Sequence, residues 1–200
     1  MSQINILIDP LPETISIAGK DYLINSGFRT FMLLEQLLFD DTISDADKVL
    51  QMMNLIFVDE YPSVSEEVMS KIIEFYRCGK SVRKKAGRRN NQKKELKAPK
   101  IYDFDYDDAL IFAAFYQQYH IDMNEIEDMH WWKFKALFNS LSADCEFVKI
   151  MGYRAADLSQ IQDKKERERI AKLKALYSLP SNLSTDEKAK RIGALFGGGM

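Results

Sequence analysis

The 200-residue chain is poor in the residues that usually announce chemistry: it has two cysteines, two histidines and no long apolar run. Cys78 and Cys145 cannot build the disulfide framework of a small secreted protein, so a reduced, cytoplasmic setting is expected. His120 and His130 have no cysteine near them in sequence, which leaves no zinc-type ligand spacing and no expected metal. No apolar run approaches the ~20 residues a membrane helix needs, so no membrane partner is expected. The first residues lack a basic n-region and meet Asp9 too early for a secretory signal. Nine glycines and five prolines are too few for a collagen-like or linker-type protein. The phosphate-loop, dinucleotide-binding and nucleophile-elbow glycine patterns are all missing. The residues give no case for an enzyme or a cofactor, and neither is expected.

What is present is an ordinary globular balance with generous aromatics: 46% hydrophobic, 29% charged and 12% aromatic. A chain of this size buries roughly 70% of its surface on folding and needs no covalent staple. The formal net charge of −2 hides an asymmetry. Residues 80–100 carry ten Lys or Arg against one Glu, and the rest of the chain carries 18 against 29 acids. With only Val82 and Leu96 as aliphatics and no aromatic, this stretch cannot bury a helical face and reads as a flexible linker. It divides an N-terminal part, 1–79, from a C-terminal part, 101–200. Arg83, Lys84, Lys85, Arg88 and Arg89 form a candidate polyanion contact by counterion release. They lack the interleaved aromatics on which single strands stack, so a solvated linker attracted to its acidic neighbour is preferred over nucleic-acid binding. That neighbour, residues 101–128, holds eight acids and no Lys or Arg.

The patterning predicts a mainly α protein: a short N-terminal β-hairpin and two helical parts joined by the basic linker. Ile4, Ile6 and Ile8 alternate as a strand would. Ile15 and Ile17, then Tyr22 and Ile24, flank Ala18-Gly19 as a hairpin. Phe28, Phe31, Leu34 and Leu38 recur at helical spacing. Ser44 is a cap for a second helix, and Ser63 with Glu66 a capping box for a third that ends at Gly79. Beyond the linker, Asp105 or Asp107 caps a helix through Tyr119. Asp122 with Glu125 opens one over 126–141, Ser142 opens a short one ending at Gly152, and 158–177 reads as one long helix. Ser184 with Glu187 suggests a last helix before Gly197 to Gly199.

The acidic cluster Asp103 to Asp108 fails as a calcium loop, having Asp108 where Gly is needed and Ala114 where Glu is needed. It reads instead as a charged helix start. Cys145 with His130 is a nucleophile pair on paper only, since nothing around Cys145 suggests an activating site. On a helical wheel Trp131 joins Phe134, Leu137, Phe138 and Leu141 in one apolar stripe. Trp132 falls among Lys135 and Asn139 on the polar face, where it needs a partner. The partner is either another helix of the same chain or a different molecule.

Several segments together resemble a known family: Phe104-x-x-Asp107, Phe115-x-x-x-Tyr119-x-Ile121-Asp122, His130-Trp131-Trp132-x-Phe134, Ile150-Met151-Gly152-Tyr153-Arg154 and Asp163-Lys164-Lys165. The stretch from Tyr22 to Phe28-Arg29 and the Phe75-Tyr76-x-Cys78-Gly79 ending fit as well. The chain is similar to small tail-module proteins of tailed phages and prophages of Gram-positive bacteria, encoded between the major tail protein and the tape measure. The resemblance implies a tail assembly chaperone for a long non-contractile tail, acting in the host bacterial cytoplasm and binding the helical tape measure. The tail tube protein and further copies of the chain itself are additional expected partners. Trp132, Lys135, Tyr153 and Arg154 are the candidate partner-binding residues, and no catalytic residue is carried over. A structural tail or adaptor subunit retained in the virion is the alternative, followed by a nucleic-acid-binding regulator acting through the linker.

Overall fold

The hairpin expected around Ala18-Gly19 forms β1 (Thr14–Ile17) and β2 (Lys20–Leu23), paired antiparallel with Ile15 opposite Tyr22 and Ile17 opposite Lys20. The computed structural model describes residues 4–79 and 100–180. Ala18 and Gly19 both take positive φ, 49° and 81°, the condition for a two-residue turn whose twist suits a hairpin. Period-two alternation puts Ile15 and Ile17 on the buried face, where β1 packs on the third helix.

Three helices are expected before the basic stretch and five after it, but contacts divide the chain into two compact units that are not its contiguous halves. The first unit combines the hairpin with α1 (Phe28–Phe39), α2 (Asp45–Ile56), α3 (Glu66–Tyr76) and α5 (Trp131–Asn139). Ser44 caps α2 as expected, accepting from the Asp47 N–H. Ser65, not Ser63, caps α3, accepting from Val68. Helix α5 arrives from beyond the basic stretch because residues 121–140 are stitched to the start of α1. The Phe28 N–H donates to the Met129 carbonyl and the Trp131 N–H to the Ser26 carbonyl, both at 2.8 Å. The Arg29 guanidinium donates to the carbonyls of Met123, Ile126 and Glu127 at 2.8 to 3.0 Å. The expected division into 1–79 and 101–200 is therefore corrected: the apolar stripe of α5 completes the N-terminal core. Phe31 stacks on both Phe75 and Trp131, with centroids 5.2 and 5.3 Å away, and Phe28 stacks on Phe134 at 5.3 Å.

The second unit contains α4 (Asp108–Tyr119), α6 (Glu146–Ala155), a 3-10 turn at Leu158–Gln160 and α7 (Lys164–Leu176). Helix α6 packs against both α4 and α7. Ile111, Phe115, Phe147, Ile150 and Ile170 form its buried apolar centre.

Other expectations shift locally. The long helix over 158–177 is broken, because Asp157 caps the 3-10 turn and Asp163 starts α7 by accepting from Glu166 at 2.7 Å. Asp122 closes a turn with Glu125 and Ile126 rather than opening a helix, and the helix that follows is capped by His130. Helix α6 runs through Gly152 instead of ending there. The alternating Ile4, Ile6 and Ile8 lie in a turn, not a strand: the Asn5 carbonyl accepts from Ile8 and Asp9. The linker, apart from Lys100, and the expected last helix lie outside the described residues. Among the described residues no helix is long and apolar enough to cross a membrane.

Candidate interaction surface

Helix α3 closes in a turn whose Gly79 and Cys78 N–H groups donate to the Glu74 and Phe75 carbonyls, which leaves the Tyr76 carbonyl for a donor from elsewhere. The tandem indoles of α5 add side-chain donors to both of the last two carbonyls. Trp131 Nε1 donates to the Tyr76 carbonyl and Trp132 Nε1 to the Phe75 carbonyl, both at 2.8 Å. The chain then reverses through Cys78 and Gly79, with positive φ of 58° and 70°, and the Gly79 N–H returns to the Glu74 carbonyl. Gly79 lies so close to the Trp132 ring that a Cβ there would stand 3.1 Å from it. Trp132 is only 6% exposed and packs on Phe75 at 5.5 Å. Its proposed role as a surface anchor is thus corrected: the end of α3 and its Gly79 turn cover the face the wheel left polar.

Lys135 is half-buried, its ammonium over the rings of Trp131, Tyr76 and Phe138 at 5.1, 5.7 and 5.9 Å. Its position therefore favours packing on the core rings. Tyr153 is half-buried and stacks on Tyr177 at 6.0 Å. Arg154 is buried, 5% exposed, and forms a two-pronged pair with Asp107 at 2.6 and 2.9 Å. It also donates to the carbonyls of Ile101 and Tyr177 at 3.1 and 2.6 Å. Every prong of the Arg154 guanidinium is spent inside its own unit, which removes it as a contact for another molecule. Trp132 and Lys135 belong to the first unit, Tyr153 and Arg154 to the second, so the four do not assemble into one site within either unit. Arg83, Lys84, Lys85, Arg88 and Arg89 lie outside the described residues.

Among the described residues no group of three or more His, Cys, Asp or Glu side chains is arranged to hold a metal ion. In the first unit a shallow apolar cleft opens beside Pro12, Ile15, Phe75 and Trp132, rimmed by the Lys71–Glu74 ion pair. The turn at residues 5–9 presents Leu7 and Ile8, 89% and 79% exposed, and is closed on itself by the Asn5 N–H donating to the Asp9 carboxylate at 2.7 Å.

In the second unit α4 carries an uncovered apolar side. Its buried side carries Ile111, Ala114 and Phe115. Its other side carries Ala109, Phe112, Ala113 and Tyr116, with Phe112 and Ala113 part-covered and Ala109 and Tyr116 exposed. The Phe112 and Tyr116 rings lie nearly parallel, 6.1 Å apart and inclined by 11°. The signal for this face is in the sequence: residues 109–116 are apolar on every side of the helix, which one buried face does not require.

The chain belongs to the bacteriophage Gp15 protein family, whose model matches residues 7–179. That span includes the hairpin and every helix described above. No curated protein and no solved structure matches the chain.

Proposed function

We propose that this bacteriophage Gp15 family protein is a non-enzymatic tail assembly chaperone that binds the helical tape measure protein in the host bacterial cytoplasm. Membership of a phage family supports a role in phage structure or assembly. The observation that carries the finer reading is the apolar surface left on two otherwise well-packed units. Leu7 and Ile8 stand 89% and 79% exposed on one turn of the first unit, and Tyr116 stands 53% exposed on α4 of the second. Spread, shallow and apolar, such contacts suit a long striped helix better than a single deep ligand. Each is weak, and many copies along one chain gain from high effective concentration. A bare stripe left in water costs about 25 cal/mol per Å², which is the driving force for coating it.

Co-expression tests the reading. The tape measure protein moves from pellet to supernatant, and the two co-purify with several copies of this chain per tape measure. If the tape measure stays insoluble, or the two elute separately, the reading fails. Recovery of the chain from purified particles by mass spectrometry supports the retained structural subunit instead.

A further inference from the structure

We infer that the outward face of α4 is the docking face for a basic amphipathic helix of the partner protein, laid antiparallel to α4 with its Lys or Arg residues in its own last turn. This deepens the chaperone reading and rests on it for the partner's biological identity, though not for its chemistry. The face has both halves of a helix-pairing surface. Phe112 and Tyr116, one turn apart, form two parallel plates, and Ala109 and Ala113 leave shallow holes beside them. Large side chains from a second helix fill such holes at close approach. From Ala109 to Tyr116 the stripe runs about 10 Å, which matches two to three turns of a partner.

Charge selects the occupant. Asp105 and Asp108 are exposed at the N-terminal end of the face, and neither forms an ion pair among the described residues. Residues 101–120 contain no Lys or Arg. An acidic helix is repelled there and a basic one attracted. Direction follows from the same end. The N-terminus of α4 is the positive end of its dipole, so the negative C-terminal end of a partner favours that position. Cations in the partner's last turn then meet Asp105 and Asp108, and they are also stabilising at their own helix end.

The test uses the full chain and two synthetic helical peptides sharing one apolar stripe, Leu at i, i+3, i+4 and i+7. One carries Lys in its last turn and the other Glu. Fluorescence anisotropy is expected to show the Lys peptide binding about tenfold tighter, the size of two surface charge contacts. Asp105→Lys with Asp108→Lys inverts the preference. Tyr116→Glu abolishes binding of both peptides without moving the melting temperature. Leu176→Glu, at another exposed apolar position of the same unit, leaves binding unchanged. Equal affinity for the two peptides, unchanged binding by Tyr116→Glu, or no binding to either peptide overturns the proposal. The cognate tape measure protein separates the two readings. If the wild-type chain and Tyr116→Glu both solubilise it, the face is wrong and the chaperone stands. If the peptide preferences hold while the tape measure stays in the pellet, the face stands and the chaperone reading fails.

Discussion

The imidazole of His130 is held at both nitrogens. Nδ1 accepts the Trp132 N–H at 3.1 Å as the cap of α5, and Nε2 lies 3.0 Å from the Pro12 carbonyl, which it reaches as an N–H donor. The ring is therefore neutral, with its proton on Nε2. Burial pushes its pKa below the usual value, a trend that Lys133 reinforces and that the Pro12 carbonyl, Glu13 and Asp128 oppose. Because the folded pKa is the lower one, the unfolded chain takes up the proton first. The stability that the neutral ring supplies is fully present above about pH 6.5, falls as pH drops below that value, and is gone once the pH has passed through the folded pKa. Urea denaturation from pH 7.5 to 5 is expected to show this slope, and His130→Gln to flatten it. An equal slope in both proteins rules out His130 as its source. Trp132 makes a second test at this scale. Trp132→Ala should cost about 3–5 kcal/mol, a loss of the same order as Trp131→Ala, because both indoles are buried and both donate to α3. A loss below about 1 kcal/mol would put Trp132 back on the surface. The sequence showed that Trp131 is core, since the stripe it joins is contiguous. It did not show Trp132, because a wheel records which side of a helix is apolar but not whether a second element lies across the other side.

At the scale of elements, the buried Asp107–Arg154 pair ties the start of α4 to the end of α6. Arg154 also holds the carbonyls of Ile101 and Tyr177, so four segments of the second unit meet on one guanidinium. Two charges in the interior are costly unless paired, and here the geometry satisfies them fully. Arg154→Met leaves the Asp107 carboxylate buried and unpaired and is expected to destabilise by about 3–5 kcal/mol in chemical denaturation. Adding Asp107→Leu removes that orphan charge, so the double variant should be the more stable of the two. A double variant worse than Arg154→Met would mean the pair contributes more than charge neutralisation. The helices themselves were legible: the 3.6-residue recurrence of Phe28, Phe31 and Leu34 needs no tertiary information. Their ends were less so. Ser63 and Ser65 are both competent caps two residues apart, and Asp163 sits inside a run polar enough to continue a helix. In each case spacing alone does not choose between the candidates. The pairing of Asp107 with Arg154 had no sequence signal beyond the presence of opposite charges 47 positions apart.

At the scale of the molecule, the first unit is discontinuous, and this sets how it comes apart. Phe31 and Phe75 are 0% and 5% exposed because Trp131 and Trp132 lie against them from residues 121–140. A fragment ending at residue 79 keeps the hairpin and α1 to α3 but opens the stack and leaves the last carbonyls of α3 without the two indole donors. It also leaves Arg29 without the three carbonyls it binds. Burial of large aromatics is a main source of stability in a unit this small, so the loss exceeds what the remaining contacts supply. Residues 1–79 expressed alone are therefore expected to show helical far-ultraviolet circular dichroism with little near-ultraviolet signal and no cooperative melt. Co-expression with 101–200 should restore both signals by returning α5 to its seat, and a Trp131→Ala version of 101–200 should restore neither. A cooperatively melting 1–79 fragment would show that α5 is dispensable to the first core. Length, charge and the basic stretch suggested a cut between two contiguous parts, because composition changes sharply there. Composition marks where a chain cannot bury itself, but the partners of a core are chosen by side-chain shape and unpaired backbone groups. A tryptophan pair on one side of the basic stretch and a helix end whose last two carbonyls accept from both indoles on the other are complementary in both respects.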